Sequence, residues 1–128
     1  MKPILQKIAV IDDSSPFRWL VKNILEMQEY DVHLFEEAEL FFKEKWTPPG
    51  YHLIIVDLNL PGMNGVSAVE NIKQSPLTAS VPVLFVTGDA SRNNLTEAVR
   101  AGVNDFISKP IDPALFLERV NKLLGLKP

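Results

Sequence analysis

The chain has 128 residues, of which 46% are hydrophobic and 23% charged, with a formal net charge of −3 and no cysteine. That length suits one domain with a single sizeable core. The acidic balance argues against a nucleic-acid surface, which needs a basic stripe, and the lack of cysteine removes disulfides, thiolate zinc sites and thiol redox chemistry together. No apolar run approaches the roughly 18 residues of a membrane span, and the start, Met1 to Lys7, lacks the apolar segment of a signal peptide. A cytosolic protein is expected.

In chain order, short apolar runs rich in Val and Ile alternate with segments of helical spacing. The runs at 7–12, 31–35, 52–57, 82–87 and 105–108 read as strands buried on both faces. Phe17, Leu20, Val21, Ile24 and Leu25 follow the i, i+3, i+4, i+7, i+8 stripe of a first helix, with Ser15 as its cap and Pro16 at the first helical position. Ala38, Phe41 and Phe42 mark a second helix, ended by Thr47-Pro48-Pro49-Gly50. Val66, Val69 and Ile72 mark a third, stopped before Pro76. Leu95, Ala98 and Val99 mark a fourth, with Gly102 in the left-handed closing position. Asp112-Pro113 begins a fifth, with Leu117, Val120 and Leu124 facing inward. Strands alternating with helices imply a parallel sheet joined by right-handed crossovers, with helices on both faces. One domain spanning 1–128 is expected.

The strand ends carry the chemistry. Ile8-Ala9-Val10-Ile11 ends in Asp12-Asp13, and Leu53-Ile54-Ile55-Val56 ends in Asp57, followed by a Pro/Gly-rich turn. Val83-Leu84-Phe85-Val86 ends in Thr87, and the run around Phe106-Ile107 ends in Ser108-Lys109-Pro110. Ligands of open parallel sheets bind outside the carboxyl ends of the strands. Clustered carboxylates repel unless a cation compensates, and a hard divalent ion such as Mg²⁺ takes oxygen ligands from one or two of them. An Asp carboxylate is also a competent nucleophile toward phosphorus. The three oxygens of a transferring phosphoryl group could then be met by the ion, the Lys109 ammonium and the Thr87 hydroxyl.

Four pieces in this order, Val10-Ile11-Asp12-Asp13, Val56-Asp57-Leu58-Asn59-Leu60-Pro61-Gly62, Val86-Thr87-Gly88 and Ser108-Lys109-Pro110, make the chain resemble the receiver domains of two-component response regulators over essentially its whole length. The resemblance implies a flavodoxin-like, doubly wound five-stranded parallel sheet of order 2-1-3-4-5 with five helices. It implies that Asp57 accepts a phosphoryl group from a phosphohistidine on a sensor histidine kinase or histidine phosphotransfer protein. Asp13, Asp57 and the Asn59 carbonyl would bind Mg²⁺ (or Mn²⁺) directly, with Asp12 acting mainly through water. Thr87 and Lys109 would complete the site, and the Lys109-Pro110 bond is expected to be cis.

The same resemblance makes Thr87 and Phe106 the switch pair, and places Asn59 and Asp89 beside the path of the hydrolytic water, where they set phosphoryl lifetime. Phe has no hydroxyl to keep in water, so Phe106 is expected to turn inward even without phosphate. The helix 4, strand 5, helix 5 face is the expected output surface, toward a downstream protein or a fused effector domain, with a phosphorylation-dependent dimer as a further outcome. Trp19 lies on the first-helix surface where receivers meet their phosphodonor, and is expected to be partly exposed. His33, His52 and Trp46 read as structural, and Glu36-Glu37-Ala38-Glu39 as a solvated helix start.

Three other readings fit less well. An aspartate-nucleophile phosphatase of the haloacid dehalogenase type wants its nucleophile after the first strand and a second acid two residues on, where Asn59 stands. A flavodoxin-like FMN carrier wants a phosphate loop where Asp12-Asp13 would repel the ligand. A degenerate receiver acting only as a docking scaffold would be expected to lack one of the five site residues, and none is missing.

Overall fold

The computed structural model describes residues 5–44, 50–58, 60–89 and 91–125. Five strands, β1 (Lys7–Ile11), β2 (Asp31–Phe35), β3 (Leu53–Asp57), β4 (Val83–Thr87) and β5 (Asp105–Ser108), alternate with five helices. These are α1 (Ser15–Glu26), α2 (Ala38–Lys43), α3 (Gly65–Gln74), α4 (Arg92–Ala101) and α5 (Pro113–Leu123). The strands form one parallel sheet in the order β2-β1-β3-β4-β5. Three strands begin or end one residue inside the expected runs, where the chain turns out of the ladder.

Period-two alternation divides the strands between two cores. Ala9, Ile11, Ile54, Val56, Val83 and Phe85 pack with Phe41 of α2, Ala68, Val69 and Ile72 of α3, and Ala98 of α4. Ile8, Val10, Leu53, Ile55, Leu84 and Val86 pack with Phe17, Val21 and Leu25 of α1 and Phe116 and Val120 of α5. Both sheet faces are covered, so the central strands β1, β3 and β4 are buried almost throughout, whereas the edge strands β2 and β5, expected to be buried on both faces, carry polar residues and are partly exposed. Each fully buried side chain of Leu, Ile or Phe size contributes about 1.5–3 kcal/mol by leaving water.

Several helix details depart from expectation. Ser14, not Ser15, caps α1: its side chain accepts the Phe17 N–H at 3.3 Å, and Pro16 stands one position further in. In the α1 stripe Phe17, Val21 and Leu25 are buried, but Leu20 is on the outer margin and exposed. In α4 only Ala98 is buried and Val99 is exposed, because the helix touches the sheet along a narrow line. Gly102 takes the left-handed conformation at the end of α4, φ 109°, and Asp112 caps α5 by accepting the Ala114 N–H at 3.1 Å. The Thr47-Pro48-Pro49 stop and Trp46 lie outside the described residues.

Candidate functional site

β1 and β3 are neighbours, so Asp12, one residue past β1, and Asp57, the last residue of β3, emerge side by side at the carboxyl edge. Both are almost fully buried, at 1% and 5% exposure, whereas Asp13 faces solvent. Carboxylate oxygens of Asp12, Asp13 and Asp57 lie within 4.8 Å of one another. Three like charges this close demand a cation, and oxygen-only donors suit a hard divalent ion.

Part of that compensation comes from the protein. The Lys109 ammonium donates to Asp12 Oδ2 at 2.8 Å and to Asp57 Oδ2 at 3.4 Å, reaching across from the β5–α5 loop. That loop is fastened to β4 by the Lys109 N–H, which donates to the Thr87 carbonyl at 2.7 Å, and the Lys109-Pro110 bond is cis, as the resemblance implied. The other Asp12 oxygen accepts the Ser14 N–H at 2.8 Å, and the Arg18 guanidinium donates to the Asp12 carbonyl at 2.6 Å. Asp12 is thus held through both its side chain and its backbone.

Asp57 pairs in register with Val86, which sets Thr87 one residue beyond it on the adjacent strand. Thr87 is fully buried, and its hydroxyl bonds to the next turn: it accepts the Asp89 N–H at 2.9 Å and donates to the Asp89 carbonyl at 3.2 Å. The Asp89 carboxylate caps the Ser91 N–H at 3.2 Å, and Asn94 donates to the Asp89 carbonyl at 3.1 Å. The hydroxyl is therefore tied to the start of α4.

Phe106 departs from the inward position expected of it. Its ring is 37% exposed and shares a groove with Arg92, Leu95, Thr96, Val99 and Arg100 of α4. A phenyl ring has no hydroxyl that must face water, but Leu95 and Val99 of α4 give it an apolar resting place outside the sheet. Asn59 lies outside the described residues. Trp19 is 56% exposed, with the Lys22 ammonium 5.0 Å from its ring centroid. His52 Nδ1 accepts the Lys7 N–H at 2.9 Å, and His33 stacks edge-on with Tyr51 at 5.7 Å, both supporting contacts remote from the carboxylates.

Three contributors to the site were not legible beforehand. Phe17 places its ring 4.2 Å from the Lys109 ammonium. Glu39 is not merely solvated: its carboxylate accepts the Met63 N–H at 3.0 Å and pins the loop after Asp57, where Gly62 turns with φ 73°. Gly65 lies directly against the Asp57 backbone. Phe17 belonged to a recognised core stripe, and its position four residues after Asp13 was the available signal; Glu39 and Gly65 gave none.

A parallel 2-1-3-4-5 sheet with an acidic cluster and one lysine at the carboxyl edge of its central strands defines a receiver-type signalling module. The chain belongs to the response regulator receiver domain family, whose pattern it matches over residues 8–121. It is 33% identical over 119 residues to chemotaxis protein CheY-3 of Vibrio cholerae, covering 91% of this chain and 90% of that protein. It is 31% identical over 120 residues to chemotaxis protein CheY1 of Helicobacter pylori, covering 93% and 97%. Among solved structures, a CheY-like receiver from Methanospirillum hungatei superposes with a TM-score of 0.85 at 27% identity, covering 95% of each chain. The BeF3-activated receiver domain of DrrB, a Thermotoga maritima regulator, gives 0.86 at 26% identity, covering 95% of this chain and 99% of that one.

Proposed function

We propose that the chain, over 1–128, is a single phosphoacceptor module in which Asp57 receives a phosphoryl group from a phosphohistidine donor. The observation that carries this reading is the position of Lys109, whose ammonium bridges the buried carboxylates of Asp12 and Asp57 beside the exposed Asp13. An Asp57 oxygen attacks phosphorus, the bond from phosphorus to the donor imidazole nitrogen breaks, and the imidazole takes up a proton from solvent. The product is an aspartyl phosphate, and water later cleaves it to restore the carboxylate and inorganic phosphate. Catalysis of its own modification is the only chemistry this reading requires.

Asp12, Asp13 and Asp57 fit a hard divalent ion, Mg²⁺ or Mn²⁺, with the Asn59 carbonyl as the further donor the family suggests. Such an ion supplies positive charge where the transferring oxygens gather it. Asp13 and Asp57 would present oxygens to it directly and Asp12 mainly through water, while Lys109 keeps a second positive charge on Asp12 and Asp57. Thr87 would exchange its Asp89 partner for a phosphoryl oxygen, drawing in the turn that leads to α4; its present hydrogen bonds to Asp89 support this reading. Phe106, which lines the α4 groove, would respond, and the α4–β5–α5 face would be the output surface toward a downstream protein, a fused effector or a second phosphorylated copy. The cytoplasm, where sensor kinase domains act, is the matching address. Asn59 and Asp89 are the positions proposed to set phosphoryl lifetime.

The test is incubation with Mg²⁺ and acetyl phosphate, with Asp57→Asn as control. A hydroxylamine-labile adduct on the wild type alone is the expected result; none on the wild type sinks the reading.

A further inference from the structure

We infer that Phe17 is a positioning residue for phosphoryl transfer, its ring face holding the Lys109 ammonium over Asp57. This rests on the phosphoacceptor reading and deepens it. The Lys109 nitrogen lies 4.2 Å from the Phe17 ring centroid, well within the range of a cation–π attraction. Phe17 is 9% exposed, so the contact is largely dry on the aromatic side. An ammonium has three donors on a flexible four-carbon stem. Two reach the oxygens of Asp12 and Asp57, and the ring lies on a further side without presenting a competing acceptor.

The ring also differs in kind from the other two partners. Asp12 and Asp57 are suited to a divalent ion, and a carboxylate that serves such an ion attracts the ammonium less. A phenyl ring takes no hard metal, so its hold on Lys109 persists when the carboxylates are shared. The Lys109 side chain is 22% exposed, so solvent is the alternative resting place for its charge.

Phe17 is itself rigidly placed. Its N–H is capped by Ser14, the next residue, Arg18, donates to the Asp12 carbonyl, and its ring belongs to the core shared by α1 and α5. A plain core role would be met equally by any apolar side chain of similar volume. Only the positioning role depends on the negative face of the ring.

The experiment replaces Phe17 in the full chain with phenylalanine carrying one, two and three ring fluorines, which drain the ring face while nearly preserving shape. The rate of Asp57 phosphorylation by acetyl phosphate should fall with each fluorine, by about three- to thirtyfold at the third. In the unsubstituted protein the Lys109 ε-methylene protons should be shifted upfield by the ring current, and Phe17→Leu should abolish that shift. A flat rate series on a protein that is phosphorylated, or Lys109 methylene resonances at ordinary positions, overturns the inference. If Phe17→Leu fails to fold, the fluorinated series decides alone. A wild type without an Asp57 adduct defeats the phosphoacceptor reading instead, while the ring-current shift still decides whether the ring holds the ammonium.

Discussion

Gly65 lies against Asp57 so closely that a Cβ on the glycine would fall 2.3 Å from the Asp57 carbonyl oxygen and 2.7 Å from Leu58 Cα. The Gly65 N–H donates to the Leu58 carbonyl at 2.8 Å, closing the loop that leaves β3. Space, not backbone conformation, demands glycine here. The end of β3 and the first turn of α3 are in backbone contact, so a shift in either moves the main chain of Asp57.

Gly65→Ala should therefore destabilise the domain by about 1–3 kcal/mol, the scale of overpacking at a rigid contact. Backbone atoms cannot step aside as a flexible side-chain tip can. The same change should slow Asp57 phosphorylation, because the carboxylate is displaced with its backbone. Gly88→Ala is the matched control: among the described residues nothing lies within 4 Å of a Cβ placed there, so its stability should stay within about 0.5 kcal/mol of wild type. Urea unfolding of both variants checks the contrast, and equal midpoints would refute it.

Thr87→Val should leave the Asp89 N–H without its acceptor and cost about 1 kcal/mol. Its sharper consequence is for signalling. Phosphorylation at Asp57 should no longer perturb the amide resonances of Asp89, Ser91 and Asn94, which the proposed switch couples to the site through the hydroxyl. Asp89→Ala keeps those backbone bonds but loses the cap on Ser91, and should change the half-life of the aspartyl phosphate. An unchanged half-life removes the Asp89 carboxylate from the hydrolytic step.

The fold was legible because both sheet faces are covered, which turns strands into uninterrupted apolar runs such as Leu53-Ile54-Ile55-Val56. Asp12, Asp13 and Asp57 were legible because each stands at the end of such a run, and Lys109 because it follows the short strand around Phe106-Ile107, where topology brings strand ends together. Adjacent serines made the α1 cap ambiguous by one residue, since either hydroxyl can accept an N–H two or three positions on and Pro16 is tolerated in either frame. Leu20 and Val99 were placed inside because spacing marks a face but not how wide a strip of it the sheet covers. The grip of Phe17 on Lys109 and of Glu39 on the Met63 N–H joins distant segments through one side chain each, and such a contact leaves no periodic trace. Phe106 depended on a balance between two apolar resting places, which residue type alone does not decide.

Alkaline stability should depend on Tyr51. Burial, then the hydrogen bond to Glu44 at 2.6 Å and the charges of Glu44 and Asp31, raise its pKa well above the ordinary tyrosine value. The folded state keeps this proton when the unfolded chain, with a tyrosine pKa near about 10, has begun to lose it. Stability from this group is therefore full below about pH 10 and declines as pH rises through the raised folded value. Lys73, lowered by burial, works in the opposite sense, gaining stability as pH rises toward its unfolded value. Comparing Tyr51→Phe with wild type cancels that second effect. The variant should lose stability at neutral pH yet show a shallower decline above pH 10 in denaturant titrations; parallel curves would contradict the assignment.

Lys109→Met should separate the contribution of the ammonium from that of a divalent ion at the same carboxylates. Removing the ammonium leaves Asp12, 1% exposed, and Asp57, 5% exposed, without the cation that bridges them. Breaking a fully buried ion pair from one side costs about 3–5 kcal/mol; the partial exposure of Lys109 places the loss here below that range. A divalent ion bound to Asp12, Asp13 and Asp57 would restore the missing charge without restoring the second contact a phosphoryl oxygen needs. Saturating Mg²⁺ should therefore raise the melting temperature of the variant more than that of wild type, while phosphorylation by acetyl phosphate stays at least about tenfold slower. An equal Mg²⁺ shift in both proteins would mean that the ion and the lysine do not share the Asp12 and Asp57 carboxylates.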